Sequence, residues 1–266
     1  MKKPKISVLL CAYNPDKKQL QQAVESIVEQ SFGDWEMILY DDGSDSAYIE
    51  SISQIAAMDQ RICYIRNSNH HSLAYGLNES MKRAKGEYLA RMDADDISHP
   101  MRFEKQYTFL EEHDEYMWVG SNISTMDNAG YIWGERHYSA VPSGKEFLDY
   151  SPYAHPSVMI RKEALLRYGG YRIEKNPNRA EDYELFMRLH AAGERGFNIQ
   201  ENLLDYRESL EGYKKRTLYY YIQEMLVRFE GFRSLGILKP GTFIYVLKPL
   251  AVWLLPNRWI YAIKRG

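Results

Sequence analysis

Residues 85–96 read KGEYLARMDADD, in which an apolar run is followed directly by three carboxylates. The run Glu87–Met92 is predicted to form a buried strand. Ligands of open α/β sheets bind outside the carboxyl ends of the strands, so polar residues placed there are informative. Asp93, Asp95 and Asp96 repel one another unless a positive charge lies among them, and hard divalent cations prefer such oxygen ligands. A solvated loop that caps the following helix is the alternative.

Strand-length apolar runs alternate with helical patterns on both sides of this stretch. Strands are predicted at Ile6–Cys11, Trp35–Tyr40 and Arg61–Arg66, and helices at Lys17–Gln30, Ala47–Met58, Ala74–Lys85 and Pro100–His113. This alternation indicates parallel β-α-β units with right-handed crossovers. We therefore predict an α/β fold with a Rossmann-like, mostly parallel central sheet flanked by helices.

The second half of the chain has a more mixed pattern. Strands are predicted at Tyr116–Met126, Tyr131–Glu135 and Ser157–Ile160, a helix at Glu181–Ala192, a long aromatic-rich helix at Tyr213–Leu235 and a last apolar segment at Pro240–Ile263. The pattern predicts one principal domain over residues 1–212 and a C-terminal helical extension over residues 213–266.

The composition is that of an ordinary soluble globular protein, with 266 residues, 45% hydrophobic and 26% charged. Cys11 and Cys63 both lie in apolar runs and are predicted to be buried, reduced thiols, which indicates a reducing, cytoplasmic compartment. No Cys/His spacing suggests a zinc site. The apolar run that begins at Ile6 is short and lacks a small-residue cleavage site, so we interpret it as the first strand and not as a signal peptide.

Polar residues also follow the other predicted strands. Tyr13 follows the first strand, where it can stack on a base or pack as a rim aromatic. Asp42 follows the second, where it can accept hydrogen bonds from a base or a ribose; an Asx turn that caps the next helix is the alternative. Glu181 and Asp182 begin a predicted helix, where they complement the helix dipole or supply a general base.

The C-terminal extension is basic and aromatic. Residues 213–266 contain ten Lys/Arg against two Glu. Gly241–Leu255 is almost entirely apolar but shorter than the roughly 20 residues that span a bilayer, and Trp253, Trp259 and Tyr261 favour membrane interfaces. These features predict peripheral attachment at the inner face of the plasma membrane. A helical hairpin packed on the principal domain, or a dimer interface, is the alternative. Because the basic residues are confined to this extension and no recognition module is visible, no nucleic-acid partner is predicted.

Six blocks of sequence, in this order, resemble a known family. They are SVLLCAYN (7–14), QSF (30–32) through DDGS (41–44), AKGEY (84–88) through DADD (93–96), HPS (155–157), GGY (169–171) and AEDYEL (180–185). Together they resemble the family 2 glycosyltransferases, which have the GT-A fold, of the kind that builds bacterial polysaccharides. The resemblance runs from Ile6 to about Arg207. Cys11 departs from the family pattern, which often has a small polar residue there that touches the nucleotide.

The resemblance implies roles on the nucleotide side. Tyr13 and Asp42 would bind the nucleobase, uracil or another pyrimidine. Arg66 would approach the base or a phosphate. Asp93 would contact the ribose and, with Asp95, would hold Mn²⁺ or Mg²⁺ on the diphosphate.

The resemblance also implies roles on the acceptor side. Asp182 would be the catalytic base, with Glu181 and His155 beside the acceptor; a structural histidine is the alternative for His155. Residues 1–98 would then form the nucleotide-binding half of the domain and residues 99–212 the acceptor half.

The activity that the resemblance implies is transfer of a sugar from a nucleotide-diphosphate donor, a UDP-sugar first, to a hydroxyl of a glycan or lipid-linked acceptor in cell-surface polysaccharide synthesis. The reaction would be a direct displacement with inversion. One alternative is a degenerate sugar-binding or membrane scaffold protein, against which the intact carboxylates argue. Another is a phosphotransferase of the haloacid-dehalogenase type. That family has Thr or Val soon after its second Asp, whereas Ile97-Ser98 follows the acidic residues here.

Overall fold

The computed structural model describes residues 3–173, 180–208 and 217–256. Its strands, in chain order, are β1 (Ile6–Ala12), β2 (Trp35–Asp41), β3 (Ile62–Arg66), β4 (Tyr88–Met92), β5 (Ile97–Ser98), β6 (Trp118–Met126), β7 (Ile132–Arg136), β8 (Met159–Arg161) and β9 (Gly196–Arg207). Its α-helices are α1 (Lys17–Val28), α2 (Ser46–Ala56), α3 (Leu73–Arg83), α4 (Arg102–Glu112), α5 (Lys162–Arg167), α6 (Glu181–Ala191), α7 (Leu218–Ser234) and α8 (Phe243–Trp253). Each predicted strand and helix overlaps one of these elements.

The strands of the described ranges form a single sheet in the order β3-β2-β1-β4-β8-β6-β9-β5, with β7 paired to β6. The first four strands are parallel, as the alternating pattern predicts. The second half of the chain adds antiparallel pairings of β8 with β4 and with β6, and β9 runs parallel to β6. The α/β prediction is confirmed. The order reverses between β1 and β4, which makes the carboxyl ends of these two strands the expected binding edge.

Helices cover both faces of the sheet. On one face the side chains of Ile6, Val8 and Leu10 pack with α1, α2 and α4. On the other face Leu9 packs with α3 and α6. A strand that is covered on both sides favours apolar residues on both faces, and for that reason β1 appears in the sequence as a nearly continuous apolar run, interrupted only by the buried Ser7.

The prediction that Cys63 is buried is wrong. Cys63 is exposed, whereas Cys11 is half-buried. Cys63 lies on β3, which ends the sheet order and therefore has one open edge. An apolar run shows that a segment forms a strand, but it does not show whether that strand lies at the edge or in the centre of the sheet.

Strand β9 was not predicted. Its sequence, GFNIQENLLDYR, lacks a regular alternation because its pairing with β6 shifts register at two places. The strand also pairs with β5, which directly follows Asp93, Asp95 and Asp96 in the chain. Its last residue, Arg207, is thereby brought next to them.

Helix α7 packs against α6. Val227 and Phe232 are buried in this contact, and a Cβ on Gly231 would lie 2.3 Å from the Sδ of Met187. The buried Arg228 donates a hydrogen bond from Nη1 to the Leu148 carbonyl at 3.0 Å. The packing agrees with the hairpin alternative for this part of the extension.

Helix α8 packs on α7 but keeps much of its apolar surface exposed. Ile244 is 69% exposed, and Leu254 beyond its end is 74% exposed. None of the helices in the described residues is both long and apolar enough to cross a bilayer. The predicted helix start at Tyr213 and the interface aromatics Trp259 and Tyr261 lie outside the described residues.

Candidate functional site

A cavity of about 1420 Å³ opens at the carboxyl ends of β1, β2 and β4. It therefore lies where the strand order reverses, the place at which open α/β sheets bind their ligands. Six of the predicted site residues line it: Tyr13, Asp42, Asp93, His155, Glu181 and Asp182. The structure does not bring Arg66 or Asp95 to its wall.

One end of the cavity combines an aromatic face with a buried carboxylate. The Tyr13 ring is 46% exposed and stacks on His70, with the ring centroids 3.7 Å apart. Asp42 Oδ2 accepts a hydrogen bond from the His71 amide at 3.0 Å and lies 3.0 Å from His70 Nδ1. In the described part of the chain, Asp42 Oδ1 is buried without a hydrogen-bond partner. Burial raises the pKa of Asp42, and the His71 amide and the His70 ring oppose that rise.

The neighbouring Asp41 has a structural role. Its Oδ1 accepts a hydrogen bond from the Ser44 amide at 2.8 Å, and its Oδ2 accepts one from the Tyr64 hydroxyl at 2.9 Å. Arg66 Nε lies 3.5 Å from the same Oδ2. The Asx turn that was the alternative role for Asp42 is therefore formed by Asp41. The predicted contact of Arg66 with a base or phosphate stays a prediction.

Asn14 joins the loops that carry Tyr13 and Asp42. Its backbone amide donates to Ser44 Oγ at 3.0 Å. Its side chain donates to Asp45 Oδ2 at 2.9 Å and accepts from the Asp45 amide at 2.8 Å. These bonds hold the aromatic face and the buried carboxylate in a fixed relation to each other.

The segment Asp93–Asp96, called the acidic loop below, follows β4. Oxygens of Asp93, Asp95 and Asp96 all lie within 4.8 Å of one another; Asp95 is exposed and Asp96 buried. Arg207 anchors the loop from β9. Its amide donates to Asp96 Oδ1 at 2.8 Å, and its Nε donates to the Asp95 carbonyl at 2.7 Å. No sequence pattern singled out Arg207, because its position depends on the pairing of β9.

The acidic loop fits a divalent cation. Removal from water and the Asp93 charge raise the pKa of Asp95 to about 6, although part of its side chain is exposed. Burial, with both neighbouring charges, raises the pKa of Asp96 well above its ordinary value. Asp96 Oδ2 is buried and finds no hydrogen-bond partner among the described residues. Clustered carboxylate oxygens are the ligand set that Mg²⁺ and Mn²⁺ prefer.

Glu181 and Asp182 meet the cavity from the first turn of α6. Burial raises the pKa of Asp182 to about 6, and backbone hydrogen bonds at the helix start oppose that rise. Burial and the Asp182 charge raise the pKa of Glu181 to about 8. Two neighbouring buried carboxyls of this kind lose their protons in coupled steps. A carboxylate whose pKa lies close to neutrality suits a general base.

His155 lies in the cavity wall with a fixed hydrogen bond. Its ring Nε2 is 2.8 Å from the Tyr171 hydroxyl, and burial lowers its pKa well below the ordinary value. The backbone of Tyr171 is held on both sides by the Asn78 amide group, at 2.7 and 2.9 Å. His155 is therefore neutral. Its hydrogen bond to Tyr171 supports the structural alternative, although the residue also lines the cavity.

The sequence predicts no role for two further sets of residues that line the cavity. Arg91, inside β4, reaches the cavity floor and donates from Nη2 to Asp93 Oδ1 at 2.5 Å. The mouth is aromatic: Tyr138, Tyr150, Tyr219 and Tyr220 line it. The last two belong to the first turn of α7, so the predicted aromatic helix contributes to the cavity itself. The aromatic run 219–221 is visible in the sequence, but the sequence does not show that it lines the cavity.

Comparison with known proteins gives a consistent result. The model of the family "Glycosyl transferase family 2" matches residues 7–173. EpsE of Bacillus subtilis, which is named as a glycosyltransferase, is 36% identical over 254 residues, covering 95% of this chain and 90% of that protein. An Escherichia coli protein named UDP-Gal:alpha-D-GlcNAc-diphosphoundecaprenol beta-1,3-galactosyltransferase is 29% identical over 264 residues, covering 96% of this chain and 93% of its own.

Solved structures share the fold at low sequence identity. S. aureus TarS in complex with UDP-GlcNAc superimposes with a TM-score of 0.68 at 16% identity, covering 91% of this chain and 72% of that chain. The mannosyltransferase PcManGT of Pyrobaculum calidifontis, in complex with GDP-Man and Mn²⁺, superimposes with a TM-score of 0.60 at 14% identity, covering 99% and 80%. The likeness confirms the GT-A architecture.

Proposed function

Because the chain belongs to glycosyl transferase family 2, we propose that it moves a sugar from a UDP-sugar to a hydroxyl of a glycan or lipid-linked acceptor, with inversion, in the synthesis of cell-surface polysaccharide. Family membership excludes the haloacid-dehalogenase alternative. The named lipid-diphosphate acceptor of the E. coli relative supports this acceptor class.

The observation that carries the proposal is the shared cavity of Asp42, Asp93 and Asp182. The three carboxylates come from three separate strand or helix ends. In the proposed reaction Asp42 binds the base, Asp93 binds the ribose and Asp182 accepts the proton, so all three must face one cavity. The first two come from residues 1–98 and the third from residues 99–212. We assign these two segments as the nucleotide-binding and acceptor halves.

The end formed by Tyr13 and Asp42 suits uracil. The exposed tyrosine ring offers a stacking surface. Asp42 lines the same end of the cavity and offers a carboxylate acceptor, and the imide N–H of uracil is a donor of matching kind. The UDP-sugars named for TarS and for the E. coli relative support this choice.

The acidic loop would hold Mn²⁺ or Mg²⁺ through Asp95, with Asp93 beside it. A cation bound there supplies Lewis-acid stabilisation of the charge that develops on the departing diphosphate. The Mn²⁺ complex of PcManGT supports this use of the loop. Asp93 is also held by Arg91, which keeps its carboxylate directed at the cavity.

Asp182 would act as the base. A sugar hydroxyl is a weak nucleophile, so its proton must leave as its oxygen bonds to the anomeric carbon. The ionised Asp182 accepts that proton, the bond from the anomeric carbon to the diphosphate oxygen breaks, and configuration inverts in one displacement. Holding donor and acceptor in one cavity supplies further acceleration.

A screen of nucleotide sugars tests the proposal. The full chain with Mn²⁺ is incubated with UDP-glucose, UDP-galactose, UDP-N-acetylglucosamine or GDP-mannose, and release of the nucleoside diphosphate is measured with and without a polyprenyl-diphosphate sugar acceptor. We expect acceptor-stimulated release from at least one UDP-sugar. If nucleoside diphosphate were released from GDP-mannose alone, the uracil assignment would be contradicted. If none of the four nucleotide sugars were bound or cleaved, the degenerate scaffold alternative would be favoured.

We further propose that α8 attaches the chain to an anionic bilayer at its cytoplasmic face. Phe243, Ile244 and Leu247 expose between 42% and 69% of their surface. Lys239 precedes them, and Lys248 follows them with its Nζ 3.2 Å from Asp149 Oδ1. Helix α7, on which α8 packs, lines the cavity mouth with Tyr219 and Tyr220. An apolar surface flanked by lysines and next to the mouth suits an enzyme that receives a lipid-linked acceptor.

The double variant Ile244→Ser/Leu247→Ser is expected to weaken association with phosphatidylglycerol vesicles by at least about tenfold, because it removes two inserting side chains. Vesicle flotation measures this. Tyr131→Ser is the matched control, since Tyr131 is 75% exposed in the loop before β7, far from α8 in the chain. Absence of wild-type flotation, or an equal loss in the control, would contradict attachment through α8.

A further inference from the structure

Two tyrosine rings that line the cavity, besides Tyr13, keep about half of their surface exposed. Tyr150 is 53% exposed and Tyr219 is 44% exposed. Single exposed aromatic residues are common on protein surfaces. Two of them in the wall of one concave site form a binding surface, because pockets for small molecules are lined largely by apolar and aromatic groups. Neither ring has a task in donor binding or in the proton transfer.

The segment before Tyr150 is bonded to the helix that carries Asp182. The Tyr183 hydroxyl, next to Asp182 on α6, donates a hydrogen bond to the Phe147 carbonyl. The Tyr138 ring lies edge-on to the Tyr150 ring, with the centroids 6.5 Å apart. Burial raises the pKa of Tyr138 to about 12, and the Asp182 charge adds to the rise. These contacts place Tyr150 on the Asp182 side of the cavity.

Helix α7 holds the same segment and also carries the second ring. Arg228 is buried, and its guanidinium donates to the Leu148 carbonyl at 3.0 Å and to the Asp149 carbonyl at 3.5 Å. Tyr219 belongs to the first turn of this helix. The two rings therefore come from segments that one buried arginine joins, and packing within the fold sets where they stand relative to each other.

The charges in the cavity wall limit what can occupy this surface. Two arginines and no lysine line the cavity in the described part of the chain. Arg91 is paired with Asp93. Arg136 is paired with Glu208. An anionic group would therefore compete with carboxylates for both arginines. A sugar ring is uncharged, and its C–H bonds, which carry slight positive charge, suit the negative face of an aromatic ring.

We propose that Tyr150 and Tyr219 form a platform, called the acceptor platform below, on which a sugar ring of the acceptor stacks with its hydroxyl directed at Asp182. Tyrosine provides a large and rigid contact area at a small cost in side-chain freedom. The assignment rests on the proposed function, since it presumes a sugar acceptor. Because Tyr219 belongs to α7, the C-terminal extension is part of the acceptor-binding site and not only a support for the principal domain.

Kinetics with a lipid-linked sugar test the acceptor platform. Transfer from the UDP-sugar that the wild type prefers to polyprenyl-diphosphate N-acetylglucosamine is measured for the wild type, Tyr150→Ala, Tyr150→Phe and Tyr219→Ala. Each alanine variant is expected to raise the KM of the acceptor at least about fivefold, as for the loss of one well-packed aromatic contact. Tyr150→Phe keeps the stacking face and should retain the wild-type KM. The calorimetric Kd of the UDP-sugar should change by less than about twofold in every variant, because only acceptor contacts are removed.

Tyr131→Ala is the matched control. Its ring is 75% exposed but does not line the cavity, so the KM of the acceptor should stay at the wild-type value. Polyprenyl diphosphate without a sugar, added as a competitor, distinguishes the sugar from the lipid chain. Its inhibition constant should be the same for the wild type and Tyr150→Ala. If it rises in parallel with the KM, the ring contacts the lipid chain and the proposal is overturned.

Three further outcomes are decisive. An unchanged acceptor KM in either alanine variant would overturn the acceptor platform, and so would an equal rise in the Kd of the UDP-sugar. A wild type that transfers no sugar to this acceptor would contradict the proposed function, and the acceptor platform with it. Both rings are about half exposed, so their loss should leave the melting temperature nearly unchanged, and a thermal melt of each variant checks that a raised KM reports on binding.

Discussion

Asp182→Asn is expected to lower the rate of sugar transfer by roughly 10²–10⁴-fold, the usual contribution of a general base. The amide has nearly the shape of the carboxylate but cannot take the acceptor proton. In the proposed mechanism Asp182 acts on the acceptor hydroxyl and not on the donor, so the Kd of the UDP-sugar should change by less than about threefold, as expected for a group that acts in the transition state. Steady-state transfer kinetics together with calorimetry of donor binding measure both quantities.

Two comparisons make this result specific to the base. Glu163→Gln, on α5, whose side chain is 81% exposed and lies outside the cavity lining, should transfer at the wild-type rate. The folded-state pKa of Asp182 is about 6, above the ordinary 3.8, so its ionisation costs stability as the pH rises through that interval. Asp182→Asn should therefore melt no lower than the wild type at neutral pH. A variant that turns over normally would show that another group takes the proton.

The pH dependence of the wild type follows from the same carboxylate. Only ionised Asp182 accepts a proton, so the transfer rate should rise with an apparent pKa of about 6. The rising limb should be absent from the residual activity of Asp182→Asn. A rate that falls across the same interval would mean that the protonated form of the pair is the active one.

Asp95→Ala is expected to raise the Kd of the UDP-sugar in Mn²⁺ by at least about tenfold, since even residues that only support metal ligands typically contribute that much to metal affinity. The wild type should lose the same affinity when EDTA is added, whereas the variant should bind alike with and without EDTA. Calorimetry in the two conditions provides the measurement.

The matched control is Asp114→Ala. The Asp114 side chain is 95% exposed and lies outside the acidic loop, so its loss should leave the EDTA effect intact. Asp95 is itself exposed, and its replacement should not lower the melting temperature of the metal-free chain. Equal donor affinity of the wild type in Mn²⁺ and in EDTA would remove the metal from the proposal.

The sequence predicts the first four long strands and the polar residues at their carboxyl ends well because these signals are local. Buried parallel strands read as continuous apolar runs, and Tyr13, Asp42 and Asp93 each follow one of them within a few residues. The helices that lie between these strands in the chain connect them in parallel. The cavity therefore forms where the order of strands and polar residues indicates.

The remaining features depend on contacts between distant segments. Cys63 is exposed because β3 has only one neighbouring strand, which no local pattern reveals. Arg207 reaches the acidic loop only through the irregular pairing of β9 with β6. Tyr219 and Tyr220 line the cavity because the helix that carries them packs on α6. Each is a property of the folded surroundings and not of the residue's own stretch of sequence.

The contact of α7 with α6 limits how this chain can exchange parts with its relatives. Gly231 leaves the space that the Met187 side chain fills, and Met187 is fully buried on the helix that begins with Glu181 and Asp182. A C-terminal extension grafted from another protein would need an equally small residue at that position, and Val227 and Phe232 would need apolar replacements. Recombination near residue 212 is therefore expected to give chains in which α6 is displaced, so the extension and the carboxylates Glu181 and Asp182 should be inherited together.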